Sequence, residues 1–209
     1  MGAIIALLWQ KHIEFGKIFM ALLVEKCPYI IGYYPAREKD DTDVSYLVAS
    51  GYVYGPDKET LETEEAFLGR MRALTRLYGA VIIASVNAHP NGMEHGWMLL
   101  SKTLNTEPRP GVTPVILHAF LTTTLYKLLV VYQKQTVKLV SFVNLDYLKR
   151  IEKASASEVK KQSIVQLRMF VEDALKKLRK NPSLLKPEGV LPDYFFQPSY
   201  LHAVSVKFH

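Results

Sequence analysis

The apolar residues of this chain recur at three- and four-residue steps over long segments, the spacing of one face of an α-helix. The pattern predicts a first helix over residues 3–26, with an apolar face of Ile4, Leu8, Phe15, Phe19, Leu22 and Leu23. It predicts a second helix over residues 58–84, with a buried face of Phe67, Met71, Leu74, Tyr78 and Val81. Residues 28–57 carry enough glycine and proline to predict a long loop with only short helical turns.

The second half of the chain predicts four more helices, at about residues 93–104, 113–132, 133–153 and 157–180. The segment 113–132 is apolar on nearly every face, so we expect it in the middle of the core. The last helix carries a narrower buried stripe of Ile164, Leu167, Val171, Leu175 and Leu178. Because the connections are short, the helices should pair antiparallel, and the predicted fold class is all-α.

The end of the chain differs from this helical body. Residues 182–209 contain four prolines, which exclude a helix, together with several aromatic residues, which disfavour free disorder. We therefore predict a helical domain over residues 1–181 and an extended tail over residues 182–209 that packs back on it.

Composition narrows the class of protein only slightly. A chain of 209 residues that is 49% hydrophobic can bury one sizeable core. Its 26 Lys and Arg against 20 Asp and Glu give a net charge of +6, which favours anionic partners. The single cysteine, Cys27, excludes an internal disulfide framework and is typical of a reducing compartment.

The apolar segment over residues 3–9 resembles the core of a signal peptide at first sight. It lacks a preceding positive charge, and Lys11 ends it far short of a membrane span. We interpret it as part of a buried helix and expect no membrane insertion.

Catalytic patterns are weak. Cys27 precedes a proline at the end of an apolar helix, where a small buried packing role is the better interpretation than a nucleophile. The spacing of His89, Glu94 and His95 does not match that of known zinc motifs, and glycine-rich phosphate loops are absent from the sequence. Asp40, Asp41 and Asp43 suit a solvated loop. We therefore predict neither an enzyme nor a metal site. A hydrolase stays an open alternative, and it would require Cys27 or His95 to be solvent-accessible in a cleft.

Basic side chains are the remaining candidate chemistry, since they can contact phosphates by charge and by the fork geometry of arginine. Solvated helix charge is the plainer interpretation of any one of them. No base-reading motif accompanies them. An alternative function is therefore a basic helical scaffold that binds RNA or other polyanions without specificity. The residues concerned are Arg70, Arg72, Arg76, Lys127, Lys134, Lys138, Lys149, Arg150, Lys160, Lys161 and Arg168.

One sequence pattern is far more specific than any of these. Residues 89–97 read His-Pro-Asn-Gly-Met-Glu-His-Gly-Trp, and residues 104–108 read Leu-Asn-Thr-Glu-Pro. Together with residues 26–35, 70–71, 76–80, 138–140 and 167–168, they resemble the C-terminal domain of the nuclear-pore mRNA-export mediators of the Gle-one family. The resemblance covers roughly residues 3–197 and places the start of this chain inside the family's domain, after its upstream coiled coil and first helices.

The resemblance implies an all-helical, non-enzymatic domain similar to HEAT repeats and to the middle domain of the translation scaffold four-gamma. Family members bind the DEAD-box RNA helicase of the nuclear pore and activate its ATPase. They also bind the C-terminal motif of an FG-repeat nucleoporin, which holds them at the cytoplasmic face of the pore. The helicase-facing region of the family maps onto Gln162 and Val165, with Lys138 and Arg168 nearby.

In fungal members, inositol hexakisphosphate is held by a Lys-Lys pair before Cys-Pro and by a lysine one helical turn earlier. Here those positions are Glu25, Lys26 and Leu22, so only Lys26 keeps its charge. Because Glu25 repels a polyanion, we expect inositol hexakisphosphate to bind weakly or not at all, and we predict no other cofactor.

Overall fold

The longest apolar segment of the sequence forms the central helix of the molecule. The computed structural model describes residues 1–84, 91–154, 158–180 and residue 185, without the side chains of residues 158–160. These residues form helices and turns with no β-strand apart from one isolated bridge between Tyr54 and Leu61, so the predicted all-α class is confirmed. The α-helices are α1 (Gly2–Lys11), α2 (Ile13–Lys26), α3 (Asp43–Ala49), α4 (Glu64–Ala84), α5 (Met93–Asn105), α6 (Val112–Tyr132), α7 (Lys134–Phe142), α8 (Leu148–Ala154) and α9 (Glu158–Lys180).

Helix α6 packs against α4 and α9, and α5 and α7 also contact it. Its side chains are buried around most of its circumference, as predicted, and Phe120, Leu121 and Leu128 are fully buried. The hydroxyls of Thr122, Thr123 and Thr124 each donate to the carbonyl four residues earlier. These three hydroxyls are therefore hydrogen-bonded although they belong to a largely buried helix. By length and composition α6 could also cross a membrane, but the core helix of a soluble protein passes the same test.

The first predicted helix is two helices. His12 has an extended backbone, with φ of −135° and ψ of 92°, and it ends α1 and begins α2. The bend lets the indole of Trp9 lie directly on Gly16, where a Cβ atom would overlap the ring. The predicted apolar face was also wrong in part, because Ile4, Leu8 and Leu22 are exposed. The buried positions of the two helices are instead Gly2, Ile5, Ala6, Trp9, Gly16 and Leu23.

The remaining predictions agree with the structure except at element ends. Helix α4 begins at Glu64 rather than at residue 58, because residues 55–60 form a turn held by the Asp57 carboxylate. The predicted helix over 133–153 consists of α7 and α8 joined by a π-helical turn, Val143–Tyr147. That turn directs the buried Tyr147 hydroxyl to the carbonyl of Thr103, at 2.7 Å, at the end of α5. The loop 28–57 contains α3 and a 3₁₀ turn, Pro28–Ile31.

The predicted tail lies outside the described residues, apart from Leu185, which packs partly buried against the main core. The division into a domain over 1–181 and a tail over 182–209 stays a prediction.

Leu125, only 3% exposed on α6, tests the central placement of this helix. We expect Leu125→Asp to lower the free energy of unfolding by more than about 4 kcal/mol, because an unpaired carboxylate would be buried. Urea denaturation followed by circular dichroism measures the change. Val130→Asp is the matched control on the same helix, since Val130 is 54% exposed, and it should change stability little. Equal stability of the two variants would contradict the placement.

Candidate partner-binding face

The outer side of α9 presents apolar side chains to solvent. Ile164, Leu167 and Val171 are buried and fix the rotation of this helix on the core. The opposite stripe therefore faces outward, with Val165 51% and Met169 65% exposed. Gln162 lies one turn before Val165 on the same stripe and is exposed. We call Gln162, Val165 and Met169 the α9 stripe.

Hydrogen bonds to neighbouring helices border the α9 stripe on both sides. Toward α8, the Arg168 guanidinium pairs with the Glu152 carboxylate. Toward α4, the Gln166 side-chain oxygen accepts a hydrogen bond from the Arg72 guanidinium at 3.3 Å. The structure thus brings three of the predicted helicase-facing residues, Gln162, Val165 and Arg168, onto one surface.

Lys138, the fourth predicted residue, lies on α7 at a different site. It lines an open cleft of about 540 Å³ whose other lining residues are Val131, Tyr132, Gln133, Lys134 and Gln135. The cleft forms where the chain turns between α6 and α7, and there Gln133 adopts a positive φ of 44°. The turn is held in part by the buried Thr136 hydroxyl, which donates to the Leu128 carbonyl at 2.8 Å. Since no described residue of α9 lines this cleft, the helicase-facing role of Lys138 stays a prediction separate from that of the α9 stripe.

The residues of the expected inositol-phosphate position lie at the end of α2. Lys26 Nζ is 2.6 Å from the Glu25 carboxylate, and both side chains are more than half exposed. Leu22 is 54% exposed one turn earlier. The only cation of the three positions therefore pairs with its own neighbour, which reduces the positive potential available to an anion.

Arg70 occupies a structural position rather than a phosphate-binding one. Its guanidinium donates to the carbonyl oxygens of Lys26 at 2.8 Å and Gly51 at 2.6 Å, and it pairs with the Glu62 carboxylate. Glu62 also accepts a hydrogen bond from the Val53 amide at 3.1 Å. These contacts fix the regions around Lys26, Gly51 and Glu62 to α4. The sequence had offered Arg70 as a possible phosphate contact, but in the structure its guanidinium is occupied by these groups.

The candidate catalytic residues do not assemble. Cys27 is fully buried, and this burial raises its thiol pKa to about 11, so the thiolate nucleophile is not populated at neutral pH. His95 Nδ1 lies 3.1 Å from the Glu94 carboxylate, which in turn accepts from the Gly92 amide at the start of α5. Among the described residues no group of three His, Cys, Asp or Glu side chains is arranged to hold a metal, and His89 lies outside them.

Two of the acidic loop residues have local roles. The Asp41 carboxylate accepts from the Glu38 amide and the Ser45 hydroxyl, both at 2.9 Å, and these bonds lower the pKa of Asp41. Asp43 pairs with Arg37. These contacts fit the solvated loop that the sequence indicated.

Sequence reasoning did not identify Met169 or Gln166 as part of this face. Met169 could have been found from Val165 and Gln166 from Gln162, because residues four positions apart on a helix lie on the same face. The pairing of Gln166 with Arg72 had no sequence signal, since it depends on how α4 and α9 pack.

The fold and the α9 stripe define the class, an all-helical domain whose exposed chemistry suits binding to another protein. The family model described as GLE1-like protein matches residues 1–144. The mRNA export factors GLE1 of rat and mouse are each 34% identical over 196 residues, which cover 91% of this chain and 27% of theirs. The chain belongs to the GLE1-like family, as its motifs indicated, and it spans about a quarter of the length of these relatives.

Two solved structures of S. cerevisiae Gle1, bound to a variant C-terminal domain of Dbp5 and to IP6, share the fold. Each has a TM-score of 0.69, with 21% and 20% sequence identity. They cover 87% and 91% of this chain and 60% and 63% of the Gle1 chains. At this identity the likeness establishes the helical fold and no more.

The role of Arg70 can be tested by its replacement with an uncharged side chain. Arg70→Gln should lower the free energy of unfolding by about 3 kcal/mol, because it leaves the largely buried Glu62 carboxylate without its cation and two carbonyl groups without their donor. Arg37→Gln, which breaks the exposed pair with Asp43, should cost less than about 1 kcal/mol. Chemical denaturation of both variants is the measurement. Similar losses would mean that Arg70 does not hold the three segments together.

Proposed function

We propose that this chain is the helicase-binding domain of an mRNA-export factor and that it activates the ATPase of the DEAD-box RNA helicase at the nuclear pore. The observation that carries the proposal is the α9 stripe, because an apolar surface that a stable helix leaves in solvent is typical of a protein-binding site. The stripe lies where the family resemblance places helicase contact. The relatives' name, mRNA export factor, and the Gle1–Dbp5 complexes support the same partner.

Activation follows from differential affinity. A helicase of this class alternates between a closed state, with RNA and nucleotide bound between its two lobes, and an open state. A domain that binds the open state more tightly shifts the population toward it, so RNA leaves and nucleotide turns over. This domain then acts as a rigid surface, and it needs no reactive group of its own.

Inositol hexakisphosphate should contribute little to this complex. The Lys26–Glu25 pair leaves little net charge at the expected site, and Leu22 offers none. We therefore infer that the helicase and this domain associate mainly through direct contacts, whereas the yeast Gle1 structures contain IP6.

The proposed location is the cytoplasmic face of the nuclear pore, and the family resemblance adds an FG-repeat nucleoporin C-terminal motif as a second partner. Both depend on the family assignment. The alternative function is a basic scaffold for RNA. Such a domain would bind RNA of any sequence without a helicase, and its RNA affinity would fall steeply as the salt concentration rises.

Val165→Asp tests whether the α9 stripe binds the helicase. We expect stimulation of the helicase ATPase to fall at least tenfold, with an unchanged melting temperature, because a charge would replace an exposed anchor that contributes about 2 kcal/mol to binding. The control is Val44→Asp on α3. Val44 is 49% exposed, close to the value for Val165, and its substitution should preserve stimulation.

A steady-state ATPase assay with RNA and the helicase of the same species separates the outcomes. Equal activity of the two variants would move the interface elsewhere. A lower melting temperature for Val165→Asp would show that Val165 supports the core.

The inositol-phosphate site can be tested by restoring its charges. Wild-type protein should bind inositol hexakisphosphate no more tightly than about micromolar at physiological salt. The double substitution of Leu22→Lys and Glu25→Lys should strengthen binding at least tenfold, because it adds two cations beside Lys26 at exposed positions. Isothermal titration calorimetry measures both affinities. Sub-micromolar binding by the wild-type protein would show that other lysines hold the anion.

A further inference from the structure

A group of three side chains beside the α9 stripe has a net positive charge without a partner carboxylate among the described residues. Arg72 and Arg76 lie one turn apart on α4, and His118 faces them from α6. The two guanidinium groups are close enough to His118 to lower its pKa, after the larger effect of its partial burial. We call Arg72, Arg76 and His118 the arginine cluster.

Of the six other arginines in the described residues, three are each neutralised by a carboxylate, whereas Arg109 donates to the Tyr46 hydroxyl and the Pro35 carbonyl. Arg37 pairs with Asp43, Arg70 with Glu62 and Arg168 with Glu152. Within the described residues, no carboxylate oxygen lies within 4.0 Å of either guanidinium of the arginine cluster. Arg72 donates a hydrogen bond to the neutral Gln166 side chain. Arg72 is half-buried and Arg76 is exposed, so two like charges lie side by side on α4 and attract an anion supplied from outside.

Hydrogen-bond donors of the cluster are also only partly used. Arg72 is half-buried, and its Nε atom is shielded from solvent without an acceptor, as is Nδ1 of His118. The His118 ring is held edge-on against Phe170, with the ring centroids 5.5 Å apart, so it cannot turn away freely. The side chains are therefore partly ordered before a ligand arrives, which reduces the entropy cost of binding.

The position of the cluster relates it to the α9 stripe. Gln166, which accepts from Arg72, directly follows Val165 and lies one turn from Met169. When an apolar side chain of a partner contacts the α9 stripe, neighbouring residues of that partner therefore lie close to the arginine cluster.

Resting on the proposed function, we propose that the arginine cluster receives a carboxylate side chain of the bound helicase. An arginine fork matches a carboxylate with two parallel hydrogen bonds, and a second arginine adds charge. A phosphate of RNA has similar local chemistry but arrives as part of a chain of phosphates. Glu172, exposed on the next turn of α9, repels a chain of several phosphates more strongly than a single carboxylate, whereas Asp173 is paired with Lys177.

The test compares two double variants with the same change in net charge. The first is Arg72→Gln with Arg76→Gln, and the control is Lys17→Gln with Lys39→Gln, two exposed lysines distant from α9 in sequence. Fluorescence anisotropy with the labelled helicase measures affinity for wild type and both variants. We expect the arginine variant to bind at least tenfold more weakly, and the control to bind like wild type within about twofold.

A local signal shows where the carboxylate binds. The imidazole carbon resonance of His118, assigned by its loss in His118→Gln, should shift when the helicase binds wild-type protein, because a charge arrives beside the ring. It should not shift with a 20-nucleotide poly(U) RNA at the same salt concentration.

Each outcome decides one question. If wild type and the arginine variant bind the helicase equally, the carboxylate site is wrong while the proposed function stands. If wild type does not bind the helicase at all, the proposed function fails and this inference fails with it. If RNA shifts the His118 signal and the arginine variant loses RNA affinity instead, the cluster is a phosphate site and the inference is overturned.

Discussion

The packing of α6 between α4 and α9 is the constraint on which the rest of the structure depends. An apolar helix with no polar face can be stable in water only when other elements cover it, so α4 and α9 are held against it. That position fixes which face of α9 is buried and which is exposed. The α9 stripe is therefore a consequence of core packing, and a partner meets a surface whose geometry is already set.

The same packing brings α4 and α9 close enough for Arg72 to reach Gln166. Polar contacts elsewhere in the domain have a different role. Arg70 and Tyr147 each satisfy carbonyl groups of distant segments and keep loops in place. Arg70 and Tyr147 thus fix the chain, whereas Arg72 lies beside the α9 stripe.

Long apolar patterns made most of the fold predictable. Helices α4, α6 and α9 have clear stripes or continuous apolar surface, and the sequence located α6 and α9 to within one residue and α4 to within six residues at its start. The break at His12 was not predicted, because no proline or glycine stands at that position, and the close packing of Trp9 on Gly16 is seen only once the bend is known. The π turn before Tyr147 likewise depends on a hydrogen bond to α5, more than forty residues away in sequence.

The candidate site was predictable only in part. Val165 and Gln162 could be named from the family resemblance, and their exposure agrees with a surface role. Lys138 was grouped with them because sequence gives no distances, and the structure places it in the α6–α7 cleft. Arg72 was one of many basic residues in the sequence. Its setting became evident only from the contacts that neutralise three other arginines and leave this one without a carboxylate among the described residues.

Oxidative footprinting of methionines tests the central claim most directly, since it maps the bound surface in unmodified protein. Met169 on α9 is 65% exposed and Met98 on α5 is 45% exposed, so both should oxidise readily in the free domain. Addition of the helicase should slow oxidation of Met169 several-fold and leave Met98 unchanged. Protection of Met98 with no change at Met169 would show that the helicase binds another face, and it would contradict the role of α9 as the helicase-binding surface.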